Sequence, residues 1–303
     1  MPNWSEVLAQ IQRESAKNAR GPAPVDRVRR KYLKRLNKHT GRNVIAYYSA
    51  WLMRSDAPAL EVMDADKNGI MAAVHGLDRT KGLDLILHTP GGNLAATESI
   101  VHYLHQMFGD DIRAVVPQLA MSAGTMISFA SKSILMGKQS NLGPIDPQIG
   151  GVPAPAIKKE FNDAVEDLQY RPHAAAAWQA IIGKYHPTLL DQCDKAIQWS
   201  SEMARKWLAE GMFSTSLNPD AKATYVVEKM SDPQAHLSHA RHIHIEQLED
   251  LGLKIERLED DHTLQDLVLT VHHSYMHTFS SSSAVKVVEN HNGTATITTT
   301  GGP

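Results

Sequence analysis

Short apolar segments alternate with helix-like segments between residues 43 and 136, and this alternation restricts the fold more than any other feature of the sequence. Strands are predicted at residues 43–49, 83–87, 112–116 and 134–136, and helices at residues 60–77, 94–108 and 122–130. Strands that are separated by helices form βαβ units, whose strands lie parallel in one sheet. The sequence therefore predicts an α/β fold with a mostly parallel sheet.

Two glycine-containing turns follow strands of this predicted sheet. The first reads Leu85-Ile-Leu-His-Thr-Pro-Gly-Gly92, and the second reads Val115-Val-Pro-Gln-Leu-Ala-Met-Ser-Ala-Gly-Thr125. Reactive groups in parallel sheets usually lie beyond the carboxyl ends of strands, where both turns fall. We therefore expect backbone N–H donors and the hydroxyl of Ser122 to meet at one edge of the sheet, as acyl-transfer chemistry requires.

The rest of the chain is predicted to be mainly helical. Residues 143–155, with four prolines and three glycines, are predicted to form an irregular, stiff loop. Helices are predicted at residues 157–167, 174–184, 188–210, 221–230, 239–251 and 264–278, a strand at residues 253–258, and a hairpin around Asn292-Gly293. We divide the chain into a helical N-terminal arm (1–40), a central domain (41–279) and a C-terminal tail with the hairpin (280–303).

Composition excludes several classes of function. The chain has 303 residues, of which 42% are hydrophobic and 21% charged, as in a soluble globular protein. The formal net charge of −2 gives no electrostatic reason to expect nucleic acid or an anionic membrane as a partner. The lone cysteine, Cys193, excludes a cysteine-rich metal site. Neither a signal peptide nor a long apolar run is found, so no membrane span and a cytoplasmic location are expected.

Three motifs, taken in order, resemble the serine dehydrogenase proteinase family. They read His88-Thr-Pro-Gly-Gly92, Met121-Ser-Ala-Gly-Thr-Met126 and Ser140-Asn-Leu-Gly-Pro-Ile-Asp-Pro-Gln148. This family is a branch of the signal-peptide-peptidase-A and Clp-protease-like group. The resemblance implies a crotonase/Clp-protease-like fold with helical N- and C-terminal additions, no cofactor, a polypeptide substrate and a homo-oligomeric assembly.

The resemblance also implies roles for the residues of the two turns. Ser122 corresponds to the nucleophile. The amides of Gly92 and Ala123 correspond to the oxyanion hole, with Gly91 shaping the first turn. The turn around Ser122 lacks the G-x-S-x-G pattern, so an α/β-hydrolase elbow is not supported. Taken alone, Ser122 would be read as a helix cap, and the glycines as a steric requirement of the turn.

The sequence does not settle which residue is the general base that takes the Ser122 proton. Clp-type relatives use a histidine in the stretch that here reads Ile145-Asp-Pro-Gln-Ile-Gly150, which contains none. Signal-peptide-peptidase relatives use a lysine, and Lys158 and Lys159 lie in the corresponding region after the irregular loop. A lysine base must be partly desolvated to be neutral near working pH. We favour Lys159 over Lys158, and His88 is the alternative base.

A histidine-rich segment, His236-Leu-Ser-His-Ala-Arg-His-Ile-His244, is a candidate metal site by residue type. On a helix, the spacing would place pairs of imidazoles on one face. No acidic residue is interleaved and no H-E-x-x-H pattern is present, so no metal is expected. The family resemblance implies that the segment is a structural or substrate-proximal helix. Asp146, in the rigid loop, is interpreted as structural, with the orientation of a base as the alternative.

The leading hypothesis is a cytoplasmic serine endopeptidase with a Ser-Lys dyad of Ser122 and Lys159 or Lys158. A catalytically inactive scaffold or binding module of the same fold is the first alternative, because the expected histidine is missing. An acyl-CoA thioester enzyme is the second, because the fold also hosts thioester chemistry through a two-amide oxyanion hole. A serine at position 122 favours hydrolysis over this second alternative.

Overall fold

A seven-stranded sheet forms the centre of the protein. The structure is a computed structural model that describes residues 3–17 and 20–301, except for the side chains of residues 234 and 235. In chain order the strands are β1 (Asn43–Ser49), β2 (Leu83–His88), β3 (Ile112–Val116), β4 (Leu119–Ala120), β5 (Ser133–Met136), β6 (Asn141–Leu142), β7 (Gln148–Ile149), β8 (Val152–Pro153), β9 (Ile255–Arg257), β10 (Ala284–Asn290) and β11 (Ala295–Thr299). The order across the sheet is β11-β10-β1-β2-β3-β5-β9. Strands β1, β2, β3, β5 and β9 are parallel to one another, whereas β10 is antiparallel to both its neighbours, β1 and β11.

Helices cover both faces of the sheet. They are α1 (Trp4–Ala16), α2 (Pro24–Thr40), α3 (Asp66–Val74), α4 (Leu94–Phe108), α5 (Ala123–Phe129), α6 (Ala154–Tyr170), α7 (Ala175–Ile182), α8 (Leu189–Trp207), α9 (Pro219–Ser231), α10 (Pro233–His236), α11 (Ile245–Asp250) and α12 (His262–Ser281). Among the described residues, no helix is long and apolar enough to cross a membrane.

Residues of the central strands alternate between two hydrophobic clusters, which explains why both faces are covered. Ile45, Leu85 and Ala114 belong to the cluster on the face of α4 and α5. Their chain neighbours Val44, Ile86 and Val115 belong to the opposite cluster, with residues of α2 and α12. A strand buried on both faces is a nearly continuous apolar run, as the sequence showed. The predicted α/β class with a mostly parallel sheet is therefore confirmed.

Both ends of the chain are integrated into this core. Helix α2 packs on α12, and Arg29 of α2 donates to Glu289 of β10 over 2.5 Å, with both side chains fully buried. Strand β10 pairs with β1 in the sheet interior, and its turn to β11 passes through Asn292-Gly293. Packing therefore does not set the described residues within 1–40 and 280–303 apart from the centre, and the three-part division remains a prediction.

Short strands beyond the sheet connect the two glycine turns. The carboxyl end of β2 pairs with β4 through Thr89, whose amide donates to Leu119 O over 3.2 Å and whose carbonyl accepts from the Met121 amide over 3.0 Å. Strand β4 also pairs with β6. These hydrogen bonds place the end of β2 directly beside the segment that leads to Ser122.

Candidate active site

Ser122 lies at the tight junction between β4 and α5. Its backbone has φ +50° and ψ −113°, a conformation that side-chain-bearing residues rarely adopt. Such a residue costs about 1–3 kcal/mol and persists only where neighbouring structure holds it. The amide of Gly124 donates to Met121 O over 2.7 Å and that of Met126 to Ser122 O over 3.0 Å, which fixes the turn. Strain of this kind clusters at functional sites.

The first glycine turn faces Ser122 at very short range. A Cβ atom on Gly91 would lie 2.5 Å from Ser122 Cβ and 3.0 Å from the Ala123 nitrogen. No side chain fits in this space, and φ at Gly91 is +105°, which also favours glycine. The glycine therefore permits the approach of the two turns that the sequence predicted.

Gly92 is held in place from its other side by Val62. The Val62 amide donates to Gly91 O over 2.7 Å, and the Asn93 amide donates to Val62 O over 2.9 Å. A Cβ on Gly92 would come within 2.3 Å of the Val62 nitrogen. This pairing is why residues 60–65 are extended or irregular, and why the predicted helix at 60–77 begins only at Asp66 in α3.

A buried ion pair fixes the segment that contains Val62. Lys286 of β10 donates to Glu61 O over 2.6 Å and to both carboxylate oxygens of Asp66 over 2.9 Å. Asp66 also accepts from the Met63 amide over 2.9 Å. Burial lowers the pKa of Lys286, and the Asp66 charge opposes that shift. The C-terminal hairpin thus supports the backbone of the first glycine turn.

Two backbone amides remain without an acceptor in this arrangement. Within the part of the chain that the structure describes, neither the Gly92 nor the Ala123 amide donates to a protein group. The Ser122 hydroxyl likewise makes no hydrogen bond to a described residue. Unpaired amides beside a serine are the donor set of an oxyanion hole, which stabilises negative charge as it develops on a carbonyl oxygen.

A cavity of about 570 Å³ opens over Ser122. Its wall is formed by Glu61, Pro90, Gly92, Asn93, Leu94, Ala95, Ser122, Ala123, Met126, Ile145, Pro147, Gln148, Gly151, Ala196, Trp199 and His239. Ser122 and the two free amides belong to this wall together. Two residues of α8, Ala196 and the partly exposed Trp199, also belong to the wall. Mostly apolar walls with a few convergent polar groups are typical of ligand sites.

The two predicted lysine bases lie outside this wall. Lys158 and Lys159 are both on α6, with side chains 40% and 57% exposed. Lys158 pairs with Asp194 of α8, and Lys159 pairs with Asp163 over 2.5 Å. Each ammonium group is therefore paired with a carboxylate at the solvent-exposed surface. The structure does not bring either lysine to Ser122.

The alternative base, His88, is buried in the core at the end of β2. Its Nδ1 lies 3.1 Å from Ser49 O and its Nε2 lies 3.3 Å from Gln118 Oε1, so both ring nitrogens have partners. The ring stacks on Tyr48. Burial lowers the pKa of His88 to about 4. His88 is absent from the cavity wall, and its contacts with Ser49 and Gln118 hold the end of β2 in the core.

A carboxylate–imidazole pair borders the cavity, and sequence reasoning did not put these two residues together. His239 Nδ1 lies 2.8 Å from Asp146 Oδ1, and the Gln148 side chain donates to Asp146 Oδ2 over 2.9 Å. Asp146 is 5% exposed and His239 is 26% exposed. The two residues are separated by 93 positions. The sequence signals for the pair were a histidine-rich segment without neighbouring acidic residues and an isolated aspartate in a rigid loop. Neither signal indicated the other as its partner.

The predicted helix at residues 239–251 is wrong at its N-terminal half. Helix α11 spans Ile245–Asp250, whereas residues 239–244 form a turn and an extended segment. Ile243 pairs with Leu142, each amide donating to the other's carbonyl, over 2.9 and 3.1 Å. Pairing with β6 competes with the helix, so the i,i+3 arrangement of imidazoles does not form. Among the described residues, no group of three or more His, Cys, Asp or Glu side chains is placed to hold a metal ion.

The architecture is an α/β fold with a mostly parallel sheet and two facing turns beyond its strand ends. A family model for ClpP-like SDH-type serine proteinases matches residues 24–289, and the chain belongs to this family. The match includes α2 and most of β10, in agreement with their place in the core.

Several individual proteins are similar to parts of the chain. An uncharacterized protein of Methanocaldococcus jannaschii is 39% identical over 102 residues, which are 34% of this chain and 35% of the relative. A second uncharacterized protein of that organism is 28% identical over 190 residues, 63% of this chain and 57% of the relative. The matches thus span about a third and somewhat over half of these relatives. A serine-to-alanine mutant of the membrane-bound stomatin-specific protease 1510-N has 15% identity and a TM-score of 0.40, covering 68% of this chain and 79% of that one.

Proposed function

We propose that the protein is a serine peptidase in which Ser122 attacks the carbonyl carbon of a peptide bond. One observation carries the proposal: Ser122 has a strained, positive-φ backbone and borders a cavity together with two unpaired amides, those of Gly92 and Ala123. A scaffold protein gains nothing from holding a serine at a cost of about 1–3 kcal/mol. Membership of a serine proteinase family supports the same assignment.

The proposed reaction follows from these three groups. Ser122 Oγ bonds to the carbonyl carbon, and the carbonyl oxygen takes up the negative charge and accepts hydrogen bonds from the two amides. The C–N bond then breaks as the Ser122 hydroxyl proton passes, through a general base, to the leaving nitrogen, and water hydrolyses the resulting acyl-enzyme. Each oxyanion-hole donor in such a site is worth about 2.7–4 kcal/mol of transition-state stabilisation. Gly91 has no donor role here; it provides the space that brings the turns together.

A polypeptide is the proposed substrate, because the cavity has an open, mostly apolar wall with Met126 and Trp199 among its residues. We also propose a homo-oligomeric assembly and a cytoplasmic location, both of which come from the sequence resemblance and composition. The Ser-Lys dyad has no geometric support, since both candidate lysines lie outside the cavity wall.

Labelling with a fluorophosphonate probe tests this proposal, because the probe phosphonylates activated serines. We expect one adduct per chain, located on Ser122 by peptide mass spectrometry, and no adduct on Ser122→Ala. Ser128→Ala is a matched control, because Ser128 lies on the same helix and its hydroxyl donates to Gly124 O over 2.8 Å. This variant should be labelled like the wild type.

Three results would contradict the proposal. Absence of any adduct on folded protein would favour an inactive scaffold. Saturable binding of coenzyme A together with an unlabelled Ser122 would favour a thioester enzyme instead. An adduct confined to another serine would also overturn the assignment of Ser122.

A further inference from the structure

We infer that Glu61 forms a subsite for a cationic side chain, so that the protein cleaves preferentially beside a lysine or an arginine of its substrate. Glu61, whose carboxylate has no hydrogen bond or ion pair to a described residue, belongs to the same cavity wall as Ser122. The inference rests on the proposed peptidase function and adds the class of substrate on which this function acts.

Backbone hydrogen bonds fix Glu61 beside the first glycine turn. Its carbonyl oxygen accepts from Lys286 Nζ over 2.6 Å. The next residue, Val62, forms a parallel bridge with Gly92, whose amide is one of the two unpaired donors of the cavity. Glu61 is therefore one residue away from the pairing that holds this amide. A substrate whose carbonyl oxygen reaches the Gly92 amide lies in the same cavity as Glu61.

The charges around Glu61 leave one carboxylate unmatched. The neighbouring cation, Lys286, donates to both carboxylate oxygens of Asp66 over 2.9 Å, and this ion pair is buried. Burial lowers the pKa of Lys286, and the charges of Asp66 and Glu61 oppose that shift. Glu61 itself is exposed. Two carboxylates and one ammonium group therefore leave this side of the cavity with a net negative charge.

No cation elsewhere in the wall offsets this charge. Among the described residues that form the wall, none is a lysine or an arginine, and the acids and bases are Glu61 and His239. His239 Nδ1 lies 2.8 Å from the Asp146 carboxylate, so a proton gained by the ring is balanced by a negative charge. The field in the cavity is therefore negative in either protonation state of His239, and such a field attracts cations and repels anions.

The apolar part of the wall accommodates the long stem of a basic side chain. Leu94, Met126 and Ile145 belong to the wall, as does Trp199, which is 39% exposed. Lysine and arginine pack their methylene stems on apolar surface while the charged head stays at a polar group or in water. Their charged heads can also lie over an indole ring. A basic side chain thus uses both the apolar wall and the carboxylate, whereas an aliphatic side chain uses the wall alone.

Quenched fluorogenic peptides that differ in one side chain test the inference. A neutral peptide is made with lysine, norleucine or glutamate at one position, which is moved in turn along both sides of the bond that mass spectrometry shows to be cleaved. Norleucine has the stem of lysine without its ammonium group. At one position, kcat/KM should be about 10-fold higher for lysine than for norleucine, the low end for a hydrogen bond to a charged group. Glutamate should be the poorest of the three. Added salt should weaken the preference, because it is electrostatic.

Two substitutions of Glu61 assign the preference to this side chain. Glu61→Gln should remove the difference between the lysine and norleucine peptides, and Glu61→Lys should invert the order of the lysine and glutamate peptides. Asp64→Asn is the matched control, because Asp64 is a nearby exposed carboxylate outside the cavity wall. It should keep the wild-type preference. The readout is a ratio within each variant, so a smaller fraction of active protein does not change it.

Four results separate failure of the inference from failure of the proposed function. Equal cleavage of the lysine and norleucine peptides at every position by the wild type would overturn the inference and leave the peptidase function intact. A lysine preference that survives both Glu61 substitutions, or one that Asp64→Asn abolishes equally, would do the same. A protein that fluorophosphonate labels on Ser122 but that cleaves none of the lysine peptides would also overturn it. If Ser122 is not labelled, the proposed function fails first.

Discussion

Replacing Ser122 with glycine should abolish peptide hydrolysis and, at the same time, make the protein harder to unfold. Loss of the nucleophile in serine proteases lowers kcat by about 10⁶-fold, because the remaining groups cannot form an acyl-enzyme. The stability gain arises because glycine adopts φ +50° and ψ −113° without a Cβ clash. Relief of about 1–3 kcal/mol of strain exceeds the entropic cost of glycine, about 0.5–1 kcal/mol.

The matched variant is Ser122→Ala, which loses the hydroxyl but keeps the Cβ and therefore the strain. Hydrolysis of a fluorogenic peptide and the denaturation midpoint of both variants should be measured together. We expect both variants to be inactive, with the glycine variant alone more stable than the wild type by about 1 kcal/mol. Equal stabilities would mean that the backbone at Ser122 is not strained. Retained activity in either variant would mean that Ser122 is not the nucleophile.

Replacing Gly92 with alanine should lower kcat by about 10²–10³-fold, the loss measured when one oxyanion-hole donor is removed. The added Cβ would come within 2.3 Å of the Val62 nitrogen and 2.4 Å of its oxygen, both of them backbone atoms that cannot rotate away. The pairing with Val62 must therefore open, which moves the Gly92 amide from its place in the cavity wall that it shares with Ala123. The transition state is affected more than the bound substrate, so kcat should fall and KM should change little.

Gly211→Ala is the control for this prediction, because a Cβ on Gly211 meets no atom within 4 Å. It should retain wild-type kcat. Circular dichroism and a thermal unfolding curve should show that the Gly92→Ala protein is folded under assay conditions. A folded Gly92→Ala protein with wild-type kcat would show that the Gly92 amide does not stabilise the transition state.

Elements with strong local patterns were predictable from the sequence. The strand at residues 43–49 and the helix at residues 94–108 have the predicted bounds in the structure. Asn93 caps that helix by accepting from the Ala96 amide over 3.0 Å, a local interaction that the residue type alone suggests. The glycine turns were equally readable, since glycine twice followed an apolar run at a strand end. The approach of Gly91 to Ser122 confirms that the two turns meet.

The pair of Asp146 and His239 could not be predicted, because long-range pairing creates it. Residues 239–251 have helical periodicity in the sequence. In the structure, Ile243 instead forms strand-like hydrogen bonds with Leu142, and the helix begins at Ile245. Strand-like pairing with a segment about a hundred positions earlier leaves no periodic trace in the sequence. The place of β10 inside the sheet is a similar case. The Asn292-Gly293 turn predicts the hairpin of β10 and β11, whereas the pairing of β10 with β1 depends on the topology of the whole sheet.

The central claim is that Ser122 and the amides of Gly92 and Ala123 act on one carbonyl group. The most direct measurement is a crystal structure of the protein with a peptide boronic acid, whose tetrahedral adduct resembles the reaction intermediate. We expect a bond from boron to Ser122 Oγ and one boronate oxygen about 2.7–3.1 Å from both amide nitrogens. A boronate that does not bond to Ser122, or whose oxygens point away from both amides, would contradict the account.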